Sequence, residues 1–348
     1  MLEIISTIGQ TTCNYENLEG MYNSGSTIFR INLAQGLADE IMHERFNTLQ
    51  KFSAKNNVDI MADLPYPGCK IRLGEFPEYQ YYINEGSQFI LIASEKADEW
   101  GKFIPVQLGN IQQYCHVGKI ITIGDGELAF KVTRLIGKDQ VEIESVTSGT
   151  ISCYKAIHLD QAQQQPPEKI ISILKMLSLY KPSMLALSFT ESNYQLEKLA
   201  TIANPIFELY DWYPKIFAKI ENRVGVDNLD EIINNSDGII VARGDLGLNI
   251  PYDELGIIQK QIIHKCRIQN KPVFVASQII ESLIDSFIPK RSEILDLTNI
   301  VLDHASGILL AKETSSNNKA AHIVKQVNQI INKTLVYRDR HIHEVIVS

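Results

Sequence analysis

The chain has 348 residues, 45% of them hydrophobic and 21% charged, and a formal net charge of −8. This balance is ordinary for a globular protein, and the length suits one large barrel with an inserted module or two ordinary domains. The acidic sign argues against nucleic acid or an anionic membrane as the main partner, and no apolar run approaches the roughly 18 to 20 residues that a membrane span needs.

In chain order, residues 3–8, 27–33 and 58–64 are short β-like runs, separated by helical stretches near 15–24 and 38–56. Short strand, helix, short strand is the pattern of a parallel sheet. From 74 to 160 the rhythm changes. Alternating runs at 88–93, 119–123, 128–135 and 140–146, punctuated by glycines, read as a small antiparallel β module. The polar, proline-rich stretch 161–167 reads as a hinge leading back. Helices are then expected at 168–180, 192–203, 226–235, 254–269, 292–304 and 317–336, alternating with strands at 184–189, 216–220, 238–242, 272–276 and 307–311. Three strands before the insertion and five after make eight, the count of an α/β (β/α)8 TIM barrel. A doubly wound open sheet is the alternative. The first nine residues lack the basic region and cleavage site of a signal peptide. The five cysteines are scattered without a C-x-x-C pair and read as buried or free thiols, so a cytoplasmic setting is the default expectation.

In such a barrel the catalytic groups sit at the C-terminal ends of the strands. Read off there are Thr7 and Gly9, Arg30 and Asn32, Asp63, Ser188, Lys219 and Glu221, Arg243-Gly244-Asp245, Ser277 and Glu313. Glu221 and Asp245 lie on neighbouring strand ends and offer two carboxylates to one hard cation, Mg²⁺ or Mn²⁺. Lys219, two residues before Glu221, shares its face of the strand. With Arg30 and Arg72 as further cations, this set suits a transferring phosphoryl group. Gly244 lets backbone approach a ligand closely. Asp125, between two glycines, is either a turn residue or a carboxylate carried by a lid. Each group also has a purely structural alternative. Arg243 to Asp245 could be a turn with an internal ion pair, Lys219–Glu221 an interior salt bridge, Arg30 a structural cation and Ser277 a satisfied hydroxyl. His341 and His343 are expected to be solvated.

Lys219-Ile-Glu-Asn222, Ser236-Asp-Gly-Ile-Ile-Val-Ala-Arg-Gly-Asp-Leu-Gly247, Lys271-Pro-Val-Phe-Val-Ala-Ser-Gln278 and Pro289-Lys-Arg-Ser-Glu293 follow Thr7-Ile-Gly9 and Phe29-Arg-Ile-Asn-Leu33 in order. This series resembles the pyruvate kinase family from about residue 3 to about residue 335. The resemblance implies a barrel of residues 1–72 and 161–338, a small β-barrel lid domain of residues 73–160 inserted after the third strand, and a tail at 339–348. It implies Glu221 and Asp245 as the divalent-metal carboxylates, and Lys219 as the cation on the phosphoryl group and enolate oxygen. Arg30 and Arg72 would bind phosphate, with Asn32 and Gln35 beside them on the ATP/ADP side. Ala242, Arg243 and Gly244 would cradle the substrate carboxylate through their backbone, with Asp245 and Ser277 also at the substrate. Ser277 would face the enolate's methylene carbon, Asp125 would be the lid carboxylate, and Asp63, Ser188 and Glu313 would line the site.

Departures from the family pattern carry their own expectations. Ala34, Leu64 and Lys70 stand where potassium-dependent members have serine, threonine and glutamate. This is similar to the potassium-independent form, with the Lys70 ammonium substituting for the monovalent ion. Gln35 replaces a histidine, Glu191 falls within a former basic pair, and Ala311-Lys312 replaces Ser-Gly. The chain stops after the eighth helix, so the family's C-terminal regulatory domain is not expected, and a monomer or homodimer is. The expected activity is metal-dependent phosphoryl transfer between phosphoenolpyruvate/pyruvate and ADP/ATP. Alternatives are an ATP-dependent kinase for another hydroxyl acceptor, a metal-dependent pyruvate-enolate lyase or aldolase, and a binding protein without turnover.

Overall fold

Eight short apolar strands, each too hydrophobic to leave either face in water, dictate a sheet covered on both sides. The computed structural model describes residues 2–33, 39–65, 68–69, 71–124, 126–159, 163–164, 167–316 and 318–347. Strands β1 (Glu3–Thr7), β2 (Ile28–Asn32), β3 (Asp59–Leu64), β4 (Met184–Leu187), β5 (Lys215–Ile220), β6 (Gly238–Ala242), β7 (Val273–Ala276) and β8 (Gly307–Leu310) pair in parallel in sequence order. β8 returns to β1 with Glu3 opposite Gly307 and closes the barrel. The open doubly wound sheet is thereby excluded.

Helices α1 (Tyr15–Ser24), α2 (Asp39–Asn56), α3 (Pro167–Ser178), α4 (Asn193–Tyr210), α5 (Arg223–Asp227), α6 (Leu229–Asn235), α7 (Arg243–Asn249), α8 (Leu255–Ile268), α9 (Arg291–Leu302), α10 (Lys312–Ser315) and α11 (Ala320–Val347) accompany the strands. Local chemistry starts several of them. The Asn14 side chain accepts from Asn17 N to cap α1, Ser192 and Gln195 form a capping box on α4, and Asn222 accepts from Gly225 N to cap α5. The short helices α5, α7 and α10 come immediately after β5, β6 and β8. Hydrophobic periodicity cannot reveal such single turns, which exist only because neighbouring elements hold them. α11 continues to Val347, past the expected end at 336, so 339–347 is helical. Among the described residues no helix is long and apolar enough to cross a membrane.

The chain forms two compact units, Met1–Pro67 with Pro166–Ser348, and Gly68–Gln165. The second is built on β-strands, with one turn of 3-10 helix at Ile111–Tyr114. Its six-stranded sheet runs in the order Ile157–His158, Ile120–Ile123, Leu128–Gly137, Gln140–Ser145, Gln88–Ala93 and Phe103–Val106. Isolated bridges Arg72–Ala156 and Leu73–Val106 stitch its two edges together. Gly124 and Gly126, both at positive φ, flank the turn that joins 120–123 to 128–137.

Inside the barrel a layer of Ile5, Ile28, Met61, Met184, Phe217, Ile240, Phe274 and Leu309 forms a cluster of its own. Two aromatic rings in it depend on glycine. Phe217 lies opposite Gly238 and Phe274 opposite Gly307, where an added Cβ would stand 2.3 and 2.8 Å from the ring. The two rings lie 5.4 Å apart. Side chains alternate with a period of two. The inward positions beyond this layer are therefore Thr7, Arg30, Asp63, Ser188 and Lys219 on β1 to β5, where the columns turn polar towards the C-terminal mouth, and the small Ala242, Ala276 and Ala311 on β6 to β8. Replacing Phe217 with Ala should cost about 3–5 kcal/mol in urea unfolding, since Gly238 offers nothing to fill the void; a loss below about 1 kcal/mol would mean that the interior collapses around the gap.

Candidate active site

The inward columns bring Arg30, Asp63 and Lys219 together at the mouth. Asp63 Oδ2 accepts from Arg30 Nε at 2.9 Å and from Arg30 Nη2 at 2.6 Å, while Arg30 Nη1 donates to Thr7 Oγ1 at 2.7 Å. Lys219 Nζ lies 3.2 Å from the same Asp63 oxygen and 2.8 Å from Glu221 Oε1. It also donates to Ser188 Oγ at 3.0 Å. Ser188 Oγ in turn lies 3.0 Å from the Leu64 carbonyl oxygen and 3.2 Å from Asp63 Oδ1. Asp63 and Glu221 are completely buried, whereas the Lys219 side chain keeps 12% of its surface open. Lys219 is thus the least buried member of the cluster, followed by Arg30 at 8%.

Among the described residues two cations face two carboxylates, so these four charges balance. Burial pushes the Asp63 carboxyl up, but the Lys219 and Arg30 charges outweigh it and hold the group below its ordinary value. Burial likewise pushes the Lys219 ammonium down, and the Asp63 and Glu221 carboxylates outweigh it and raise the group. Lys219 is a fixed cation here, suited to stabilise negative charge rather than to act as a base. These four balanced charges by themselves leave little net attraction for an anionic phosphate ester, and a bound cation would add positive charge.

Glu221 and Asp245 can supply the seat for that charge. Asp245 is half-buried in the first turn of α7, beyond the strand that neighbours β5. Asn249 donates from Nδ2 to the Glu221 carbonyl at 3.2 Å and to the Asp245 carbonyl at 2.8 Å, tying the two segments together. Among the described residues no group of three or more His, Cys, Asp or Glu could hold a metal. Magnesium needs only one or two carboxylates, with water and substrate oxygens completing its octahedron. A fully buried carboxylate beside a half-buried one fits that ion class.

The remaining strand ends are linked by side chains that were assigned other roles. Arg243 pairs with Asp296 of α9 at 2.6 Å rather than with Asp245, Nη1 also reaches Gln259 Oε1 at 3.3 Å, and Nε and Nη2 donate to the backbone carbonyls of Ser277 and Gln278. Glu313 is buried and accepts from the backbone of Ala311 at 2.7 Å and of Ile279 at 3.2 Å. Burial pushes its carboxyl up, against the pull of those N–H groups. Thr314 Oγ1 donates to the Thr7 carbonyl at 3.0 Å. Glu191 Oε1 accepts from Asn222 Nδ2 at 2.6 Å, just beyond Glu221. An added Cβ on Gly244 would stand 3.2 Å from Ser277 Oγ, so glycine lets that hydroxyl lie against the α7 backbone, whose N-cap is Ala242.

Asn32 is the half-buried last residue of β2. Arg72 belongs to the second unit, where its Nη1 donates to the Tyr154 carbonyl at 2.9 Å. Gln35, Lys70 and Asp125, like Ala34, lie outside the described residues. A separate cleft of about 650 Å³, lined by Arg243, Gln278, Glu281, Ser282, Lys290 and Asp296, contains none of Lys219, Glu221 or Asp245. Neither Asn249 nor Thr314 was singled out from the sequence. Their bonds are made to or through backbone carbonyls, which leave no mark on residue spacing.

The sign of the Asp63 shift sets a pH dependence. A carboxyl held below its unfolded value of 3.8 stabilises the fold above that pH and loses the contribution as pH falls through the lower folded value. Asp63→Asn should cost about 3–5 kcal/mol by leaving Arg30 and Lys219 against Glu221 alone. It should also flatten the acid limb of thermal stability between about pH 5 and about pH 1. Superimposable acid limbs for the two proteins would contradict the assignment.

Comparison with known proteins agrees with this geometry. A family model described as the pyruvate kinase barrel domain matches residues 1–324. The pyruvate kinase of Thermococcus litoralis is 30% identical over 346 residues, covering 97% of this chain and 70% of that protein. That of Debaryomyces hansenii is 31% identical over 349 residues, covering 97% and 68%. That of Thermotoga maritima is 29% identical over 333 residues, covering 94% and 70%. A closed eight-stranded barrel with this cluster at its mouth, matched along nearly its whole length, belongs to the pyruvate kinase family.

Proposed function

We propose that the protein transfers a phosphoryl group between phosphoenolpyruvate and ADP, giving pyruvate and ATP, with a divalent metal, Mg²⁺ or Mn²⁺. The observation that carries this is Lys219, an ammonium fixed by Asp63 and Glu221 on the least buried side chain of the cluster at the mouth of a barrel of this family. Glu221 and Asp245 would hold the metal, which when bound adds positive charge to the four balanced ones and polarises substrate oxygens.

The chain's own groups account for the rest. Lys219 donates to the phosphoryl and enolate oxygens as charge develops there. Arg30 spends three of its five N–H bonds on Asp63 and Thr7, and the others are available to phosphate oxygen. The backbone N–H groups of Arg243, Gly244 and Asp245 open α7 without intrahelical acceptors and suit the substrate carboxylate. When the phosphorus–oxygen bond breaks, the phosphoryl group passes to ADP and the enolate remains. The Ser277 hydroxyl gives its proton to the methylene carbon, making the methyl group of pyruvate, and is reprotonated from water. The role of Lys70 rests on sequence alone: its ammonium substitutes for a monovalent cation, so no potassium requirement is expected.

A second reading is favoured by Glu191, which Asn222 holds where the family pattern has a basic pair. A rim changed around an intact centre is what another hydroxyl acceptor would require, with ATP as the donor.

Phosphorus NMR of the protein with phosphoenolpyruvate, ADP and Mg²⁺ should show ATP forming, and Lys219→Met should slow it about a hundred- to a thousandfold. A wild-type protein that makes no ATP but slowly hydrolyses it in the presence of metal would instead favour the second reading. The rate should be the same with and without potassium, and Lys70→Glu should introduce a potassium response. If the Lys70 variant matches the wild type in both conditions, Lys70 has no part in the site.

A further inference from the structure

Ser277 and Gln278 follow β7 with φ of 74° and 52°, two successive residues in the left-handed region and neither of them glycine. Side chains bearing a Cβ resist that conformation, and it persists where the surroundings over-determine it. Here two charged groups hold the turn from opposite sides. Arg243 Nε and Nη2 donate to the Ser277 carbonyl at 3.1 and 2.7 Å, and Nη2 also donates to the Gln278 carbonyl at 2.9 Å. The guanidinium is itself anchored through Nη1 on Asp296 at 2.6 Å and on Gln259 at 3.3 Å. On the other side the buried Glu313 carboxylate takes the N–H of Ile279 at 3.2 Å and that of Ala311 at 2.7 Å.

We infer that Arg243 and Glu313 are positioning residues that clamp the turn after β7 and so aim the Ser277 hydroxyl. A turn needed only for chain reversal would carry glycine at these two positions, since glycine reaches positive φ freely. Instead the chain keeps a hydroxyl at 277 and commits an arginine and a buried glutamate to the two peptide groups that follow it. Ser277 is half-buried with its Oγ towards Gly244, while Gln278 is exposed, so the clamp serves the one side chain that faces the α7 backbone. Arg243 thus acts through main-chain carbonyls, and Glu313 through main-chain N–H groups. Neither side chain needs to touch substrate. The inference rests on the proposed role of Ser277 as proton donor.

The test compares the full-length protein with Arg243→Met, Arg243→Lys, Glu313→Gln and Ser277→Ala, and with each clamp variant combined with Ser277→Ala. Glu313→Gln keeps the shape and one acceptor oxygen, which makes it the variant least disturbing to the fold. Amide hydrogen exchange should quicken across 277–281 in both Arg243→Met and Glu313→Gln while the other strands keep their protection. In the proposed reaction kcat should fall about ten- to a hundredfold with KM for phosphoenolpyruvate changed less than about threefold, and Arg243→Lys should recover part of the loss. Solvent deuterium entry into the methyl group of pyruvate should fall in step. The combined variants should be no slower than Ser277→Ala alone, because residues acting as one unit are not additive. Unchanged exchange at 277–281 would overturn the clamp. So would faster exchange with wild-type kcat, or losses that multiply in the combined variants. If the wild type makes no pyruvate at all, the proposed reaction fails on its own account; the exchange data then decide the clamp alone, lost protection upholding it and kept protection overturning it.

Discussion

The Asp63 carboxylate, buried at the end of β3 between the Arg30 guanidinium and the Lys219 ammonium, is the contact on which the mouth of this barrel depends. A lone charge at that depth would be strongly unfavourable, and the two cations would be equally so without it. The four charges can be buried only together. Their balance holds Lys219 in place and keeps it protonated. Beside Glu221, itself one of the four, the segments after β5 and β6 add one further carboxylate, that of Asp245, at the same mouth. That group lets a cation join without undoing the balance beneath it.

From that contact the links continue around the ring, so that every strand end is tied to the next by a side chain. Arg30 joins β1, β2 and β3 through Thr7 and Asp63. Ser188 and Lys219 carry the chain of bonds across β4 to β5. Asn249 holds the end of β5 to the turn after β6, Arg243 holds that turn to the end of β7, Glu313 joins β7 to β8, and Thr314 returns to β1. Half of these links are ionic or donate to backbone carbonyls, which are strong acceptors that a loop would otherwise leave to water. At the other end of the interior the work is done by shape, with Phe217 and Phe274 seated over glycines. An apolar floor and a polar, cross-linked rim follow from the same alternation of side chains along each strand.

The barrel was legible because its strands are short runs of Ile, Val, Leu and Phe bounded by turn residues, and because their number admits few closures. Lys219, Glu221, Arg30 and Asp63 could be placed at strand ends from the same pattern. Three things could not. The single-turn helices α5, α7 and α10 have no periodicity to read, since each is shorter than two turns. Asn249 and Thr314 act on main-chain groups, which every residue carries alike. Arg243 and Glu313 were recognised as site residues, but their partners, Asp296 and the peptides of Ser277 to Ile279, are 53 and 34 residues away.

What the sequence determined by itself was the periodicity and therefore the fold class, which residue types reach the strand ends, and the family that the ordered motifs resemble. These are local properties: each strand's alternation and each motif's spacing are complete within a few residues. Only the tertiary structure decided which charges meet. Asp63 could have paired with Glu221's lysine, with an arginine on the next strand or with neither; closure of the barrel brings both cations to one carboxylate oxygen. Pairing of buried charges depends on distances between strands that the chain does not encode locally, and on desolvation that exists only once the interior is sealed.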